Sequence, residues 1–265
     1  MYIFNIRKEV ITVSAWFKSL RLSVCILASF LAITGFTLAG TGISWVAVMA
    51  VFFIASATML QNDWRDRFHD ISKGKVLACQ QAGKFLVLLS VFWLISGGLI
   101  ALTVVHDTSV GVALVIVAAA GIVYSETRMI PFVPIVLVSL ASASPVALPI
   151  VAGASSEKLW LLFLSATLVV FAREITKDMD DKQIDGGYKW TIPLAFGEQR
   201  SRILAAVVIV AGLVAAAKVS LAILPAASLA VIAAVALVRG MKPSTSRKYL
   251  DAGMALVILT LITFG

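Results

Sequence analysis

Nine apolar stretches, at 22–40, 43–60, 84–105, 109–124, 131–153, 158–173, 202–221, 223–239 and 249–264, occupy most of this chain. A helix needs about 20 residues to cross the hydrocarbon core of a bilayer. Without water, a spanning backbone must close its own hydrogen bonds, so runs of this length are expected to be helical. Several are slightly short, which implies charged helix ends that extend past the bilayer or into a polar cavity. Gly40-Thr41-Gly42 and Pro225 split what would otherwise be two overlong runs. Composition agrees: 60% of residues are hydrophobic and 14% charged, against about 25% charged in soluble domains, and mean hydropathy is +1.00. The expected architecture is an all-α polytopic membrane bundle of nine transmembrane helices, one integral-membrane domain over residues 1–265.

The net charge of +8 invites a nucleic-acid partner, but its distribution argues against one. With the N-terminus and alternate loops placed in the cytoplasm, 20 of the 22 Lys and Arg residues fall on that side, leaving only Lys158 and Lys218 outside. That is the positive-inside pattern, and it places the protein in a cell inner or plasma membrane. Spans two to three and six to seven then hold equivalent places in two pseudo-repeated four-helix halves, with span nine as an extra helix. The basic stretch Arg7–Arg21 runs into an apolar segment with no small-residue cleavage pattern, so no cleaved leader is expected. Cys25 and Cys79 have no metal or redox spacing and read as packing residues.

Two acidic clusters of identical spacing interrupt this apolar chain: Asn62-Asp63-x-x-Asp66-x-x-x-Asp70 and Lys177-Asp178-x-x-Asp181-x-x-x-Asp185. On a helix, each i, i+3, i+7 set would share one face. Both fall at the cytoplasmic side, after spans two and six. Crowded carboxylates repel unless a cation joins them, and acids at the end of an apolar span are costly unless they line a polar cavity. Between 174 and 185 there are five carboxylates, with Glu174 one turn before Asp178 and with Arg173 and Lys177 spaced to face the same pocket. Oxygen-only donors suit Mg²⁺, which takes one or two carboxylates plus substrate phosphates. No His/Cys set supports zinc.

Tyr124 and Arg128 stand one turn apart at the end of span four. Tyr124 suits an interfacial belt or a pocket, whereas Arg128, alone in its loop, reads either as an anchor of the positive-inside pattern or, the favoured reading on bidentate geometry, as a phosphate-binding residue. By helical phase His69 points away from the aspartate face, and His106 is a span end on the opposite side. Gly186-Gly187 with Thr191-Ile192-Pro193, ending at Gly197, reads equally as a turn or as a lid over the pocket.

The paired motifs, with Tyr124–Arg128 and the stretch 171–197, resemble the UbiA-type intramembrane prenyltransferase superfamily in layout over essentially the whole chain. The resemblance implies Mg²⁺-dependent transfer of an isoprenyl group from an allylic diphosphate to a lipophilic acceptor, a glycerol-phosphate lipid or an aromatic quinone precursor, within membrane lipid. It also implies that Asn62, Asp66, Asp181 and Asp185 are metal ligands and that Asp63, Asp70 and Asp178 support the metal or its waters. Lys177 and Arg128 would contact diphosphate, in a set that includes Lys73, Lys75, Tyr124 and Glu174. Arg173-Glu174-x-x-Lys177-Asp178 followed by Thr191-x-Pro193 is similar to the archaeal-type branch that prenylates glycerol-phosphate lipids. Two departures stand out: Leu77-Ala78 replaces the usual Arg-Pro pair, with Lys73 or Lys75 as the substitute cation, and Arg128 stands where lysine is usual.

The same cage would serve a membrane terpene cyclase of that superfamily, with an internal alkene as nucleophile. An alcohol phosphotransferase is disfavoured by the absence of Asp-Gly-x-x-Ala-Arg. A cation-coupled transporter is disfavoured because its acids would lie near the midplane.

Overall fold

The computed structural model describes residues 13–264, so Arg7 and Lys8 of the charge pattern lie outside the described residues. A short helix, α1 (Val13–Leu20), meets α2 (Leu22–Leu38) at Arg21, whose φ of 47° is left-handed. There follow α3 (Trp45–Arg65), α4 (Ala82–His106), α5 (Thr108–Glu126) and α6 (Val133–Ala143). The last four are α7 (Glu157–Asp180), α8 (Glu198–Val219), α9 (Leu224–Val238) and α10 (Pro243–Phe264). Among the described residues, eight helices are long and apolar enough to cross a membrane. α10, more polar at its start through Arg247, Lys248 and Asp251, completes the expected nine.

Two boundaries differ from the sequence reading, each for a local reason. α6 gives way to a 3₁₀ turn, Ser144–Ala147, and a single further turn, Leu148–Val151. Pro145 and Pro149 supply no backbone N–H there, and a continuous helix would lose those bonds. The break between α8 and α9 falls at Ser220, which is extended (φ −159°), rather than at Pro225. Pro225 instead occupies the first turn of α9, where its missing donor costs nothing.

α3 and α7 are the central helices of the two halves. α3 packs on α2, α4 and α5, while α7 packs on α6, α8 and α10. α10 also contacts α2 and α9, so it closes the bundle between the second half and the first. The extra helix thus takes the place against α7 that α5 holds against α3. α4 lies outermost, with Leu94 and Val105 among its exposed apolar side chains, as expected of a helix facing lipid on one side.

Close crossings rest on small residues, as they do where lipid removes the hydrophobic drive between helices. A Cβ on Gly35 of α2 would sit 2.9 Å from the Val146 carbonyl oxygen and 3.1 Å from its Cα. Backbone on both sides cannot yield cheaply. Gly35→Ala is therefore expected to lower the thermal unfolding midpoint in detergent, by about 1–3 kcal/mol of overpacking strain. Gly42→Ala, which meets nothing within 4 Å, should leave it unchanged, and equal midpoints for the two variants would refute this packing account.

Candidate active site

Both aspartate motifs end their helices in the same way. Asp63 lies in the last turn of α3, Asp66 caps the helix at φ −86°, ψ 0°, and Asp70 opens a 3₁₀ turn (Asp70–Lys73). Asp178 lies in the last turn of α7, Asp181 caps it at φ −88°, ψ −2°, and Asp185 ends a short helix (Lys182–Asp185). Neither motif is one continuous helical face, because each helix stops at its middle aspartate. The capping backbone lies in the bridge region, where many active-site residues are found. Carboxylates at a helix C-terminus oppose its dipole, so each needs a cation nearby.

Each has one. Arg21 Nη2 is 2.9 Å from Asp63 Oδ1, and Lys75 Nζ is 2.9 Å from Asp70 Oδ2. Arg128, just beyond α5, pairs with Asp66. Lys73 crosses from the first motif's loop to the second motif and sits 3.1 Å from Asp181 and 2.9 Å from Asp185. Lys189 reaches Asp178 at 3.2 Å and Asp185 at 2.7 Å. The two clusters are thus brought to one end of the bundle and tied together.

One to two turns deeper along α7, Lys177 Nζ lies 2.9 Å from Glu174, and Arg173 bridges Glu174 (2.9 Å) and Asp251 of α10 (2.6 Å). Beyond this charged belt a cavity of about 900 Å³ runs between the helices. Leu27, Thr58, Val117, Val138, Val169 and Val257 line it from α2, α3, α5, α6, α7 and α10. Asn62, Asp66, Asp70, Asp178, Asp181 and Tyr124 line the same cavity at its polar end. One space therefore offers ionic contacts at one end and hydrocarbon contacts along its length, the arrangement suited to a long apolar ligand with a charged head.

Electrostatics beyond the spans follow from these contacts. Burial would push the Asp185 carboxyl up, but Lys189 and Lys73 outweigh it and hold it below its usual value. For Lys189 burial works downward, and Asp178 and Asp185 overcome it, so its pKa is raised. Burial, then the hydrogen bond to Asp66, pushes the Tyr188 hydroxyl up to about 12. It therefore remains a donor.

Among the described residues, no three His, Cys, Asp or Glu side chains form a group able to hold a metal alone. The donors nonetheless fit magnesium, which draws much of its coordination from water and substrate phosphates. Lys73 Nζ, between Asp181 and Asp185, marks a place where those carboxylates already accept a cation. Arg128 Nη2 is buried with no hydrogen-bond partner, and an anionic oxygen would satisfy it.

One residue expectation is corrected. His69 does not point away from the aspartates; its Nε2 is 3.2 Å from Asp185 Oδ1, and its ring stacks on Tyr188. The helix ends at Arg65, so helical phase does not carry to residue 69. Arg21, Tyr188, Lys189 and Asp251 were not singled out from sequence. Asp251 and Arg21 carried a usable signal, being charges beside or within apolar runs. The segment after Gly187 is anchored: Thr191, Ile192 and Pro193 are buried, and Trp190 N–H donates to the Arg128 carbonyl at 2.9 Å. That favours a fixed turn that positions Arg128. Cys25 and Cys79 are free thiols, each near a backbone carbonyl.

A polytopic helical bundle with an ionic site at one end of an apolar slot defines a membrane protein built to hold an amphiphilic ligand. The UbiA prenyltransferase family profile matches residues 22–256; the chain belongs to that family and is an integral-membrane prenyltransferase. A solved digeranylgeranylglyceryl phosphate synthase is similar to it in fold, with TM-score 0.69 and 21% identity, covering 95% of this chain and 97% of that one. A UbiA homologue from Archaeoglobus fulgidus bound to GPP and Mg²⁺ is similar with TM-score 0.64 and 18% identity, over 94% and 98%. No curated protein sequence matches the chain.

Proposed function

We propose that this protein transfers an isoprenyl group from an allylic diphosphate to a lipophilic acceptor, a glycerol-phosphate lipid or an aromatic quinone precursor, and releases diphosphate in a magnesium-dependent reaction. The observation that carries this reading is the meeting of both carboxylate clusters, from separate halves, at the mouth of one apolar cavity. The family membership and the fold neighbour that binds GPP and Mg²⁺ support it. In this reading the N-terminus and the motif loops face the cytoplasm, following the basic residues.

The chemistry breaks the bond between C1 of the prenyl group and the diphosphate oxygen, with the electron pair leaving on oxygen. The acceptor's nucleophilic atom then bonds to C1 and gives up a proton. Asn62, Asp66, Asp181 and Asp185 are assigned to magnesium, with Asp63, Asp70 and Asp178 behind them. Magnesium, when bound, stabilises charge developing on the diphosphate. Arg128, Lys73, Lys75 and Lys177 supply fixed positive charge to the same oxygens in a water-poor site, beside Tyr124 and Glu174. The apolar cavity wall holds the tail and keeps water from the electron-poor C1.

The test is mass spectrometry of products after incubation with geranyl to geranylgeranyl diphosphate, Mg²⁺ and a panel of acceptors. The expected product is the acceptor with a prenyl group in place of one hydrogen. A hydrocarbon or terpenol formed without acceptor would make the protein a cyclase, and intact diphosphate throughout would refute prenyl chemistry. Chelation with EDTA is expected to stop diphosphate release, and excess Mg²⁺ to restore it; release that continues under EDTA excludes the metal requirement.

A further inference from the structure

His69 lies within the first aspartate motif, just before Asp70, and Tyr188 lies on the loop that follows the second; the roles assigned above use neither. Each reaches across to the other motif. His69 Nε2 lies 3.2 Å from Asp185 Oδ1, and Tyr188 Oη donates to Asp66 Oδ1 at 2.7 Å. The two rings stack on each other, centroids 3.8 Å apart and planes 9° from parallel. The outer aspartate of one half and the capping aspartate of the other are thus held by aromatic side chains that exchange sides and lean on one another.

The hydrogen-bond direction at Tyr188 is fixed by its neighbours. Arg128 Nη1 donates to Tyr188 Oη at 2.5 Å, and a guanidinium only donates. The phenol's single proton is therefore directed to Asp66. That bond and the Arg128 ion pair both fall on Asp66 Oδ1, which leaves Oδ2 open to a cation. At Asp185, fully buried, His69 shares Oδ1 with Lys73 while Lys189 holds Oδ2. A contact that served only to join two loops would pair the polar tips with each other or with backbone. Here both tips end on candidate metal ligands, and the full ring overlap couples their positions.

We propose that His69 and Tyr188 form a stacked clasp that orients Asp185 and Asp66 toward a divalent cation shared by the two halves. Both are positioning residues, acting through the carboxylates and not on substrate. The proposal rests on the prenyl-transfer reading. Groups that orient metal ligands commonly change metal affinity about 10–100-fold when removed.

The test uses Tyr188→Phe, which keeps the ring and deletes the proton given to Asp66, and His69→Phe, which keeps a ring without Nε2. Mn²⁺ affinity is read by paramagnetic resonance of free Mn²⁺ on the purified full chain with geranyl S-thiolodiphosphate, a slowly reacting donor analogue. Each variant is expected to bind Mn²⁺ about tenfold more weakly, with an unchanged unfolding midpoint and with turnover recovered by raising Mg²⁺. The double variant should lose less than the product of the single losses, because the rings act together. His106→Ala, at the far end of the bundle, should bind as wild type. Wild-type Mn²⁺ binding and product formation with unaltered affinity in both variants overturn the clasp alone. Loss of turnover that raised Mg²⁺ does not recover, at unaltered Mn²⁺ affinity, also overturns it. Wild-type protein that neither binds Mn²⁺ nor forms product overturns the prenyl-transfer reading as well.

Discussion

Asp66→Ala and Asp181→Ala are each expected to cut diphosphate release by about 10³-fold or more, the scale of losing a preorganised charge-stabilising group, in a protein that still inserts and folds. Both residues cap their helices, Asp66 on α3 and Asp181 on α7, and both line the polar end of the cavity. Folding should survive because a carboxylate at a helix C-terminus works against the dipole, and its removal relieves that conflict. The cations left behind have other partners or water: Lys73 keeps Asp185, and Arg128 keeps Tyr188. Activity should not survive, since each change removes an oxygen donor that no neighbour replaces. Rates with prenyl diphosphate, beside detergent size-exclusion profiles and unfolding midpoints, separate the two effects. Normal turnover by either purified variant removes the metal-cage mechanism.

Arg128→Ala is expected to lower kcat/KM for the prenyl diphosphate by about 10²-fold or more, the scale of truncating one member of a desolvated charge pair, with KM carrying much of the change. Arg128 already meets Asp66 and Tyr188, and its Nη2 is buried and unpaired. A diphosphate oxygen would complete its donor set. Arg128→Lys should recover only part of the loss, because one ammonium cannot reproduce the planar fork. If KM stays at the wild-type value in both variants while stability falls, Arg128 is a structural anchor between Asp66 and the loop at Trp190.

Much of the fold was legible because bilayer crossing leaves few choices. Apolar run length and the skew of basic residues carried the spans, and the two aspartate sets marked the helices that face the site. The differences from the sequence reading are local. Periodicity assumes the helix continues, and at Asp66 and Asp181 it does not; His69 was therefore assigned the wrong direction. Pro225 was read as a breaker although the break belongs to extended Ser220. Tyr188 and Lys189 follow a glycine pair in a stretch with no period to read, so their contacts were open until the loop was placed. Arg21 looked like one more basic anchor, yet its left-handed backbone aims it at Asp63.

The sequence by itself determined that this chain crosses a membrane as helices and that its two aspartate sets lie at helix ends on one side, because desolvation energy is set by residue type and run length. Which cation meets which carboxylate was decided only by the tertiary structure. Lys73 crosses to Asp181 and Asp185, Tyr188 crosses to Asp66, and α10 packs against α2. Those pairings join residues far apart in the chain, and an ion pair depends on distance in space, which local pattern does not encode.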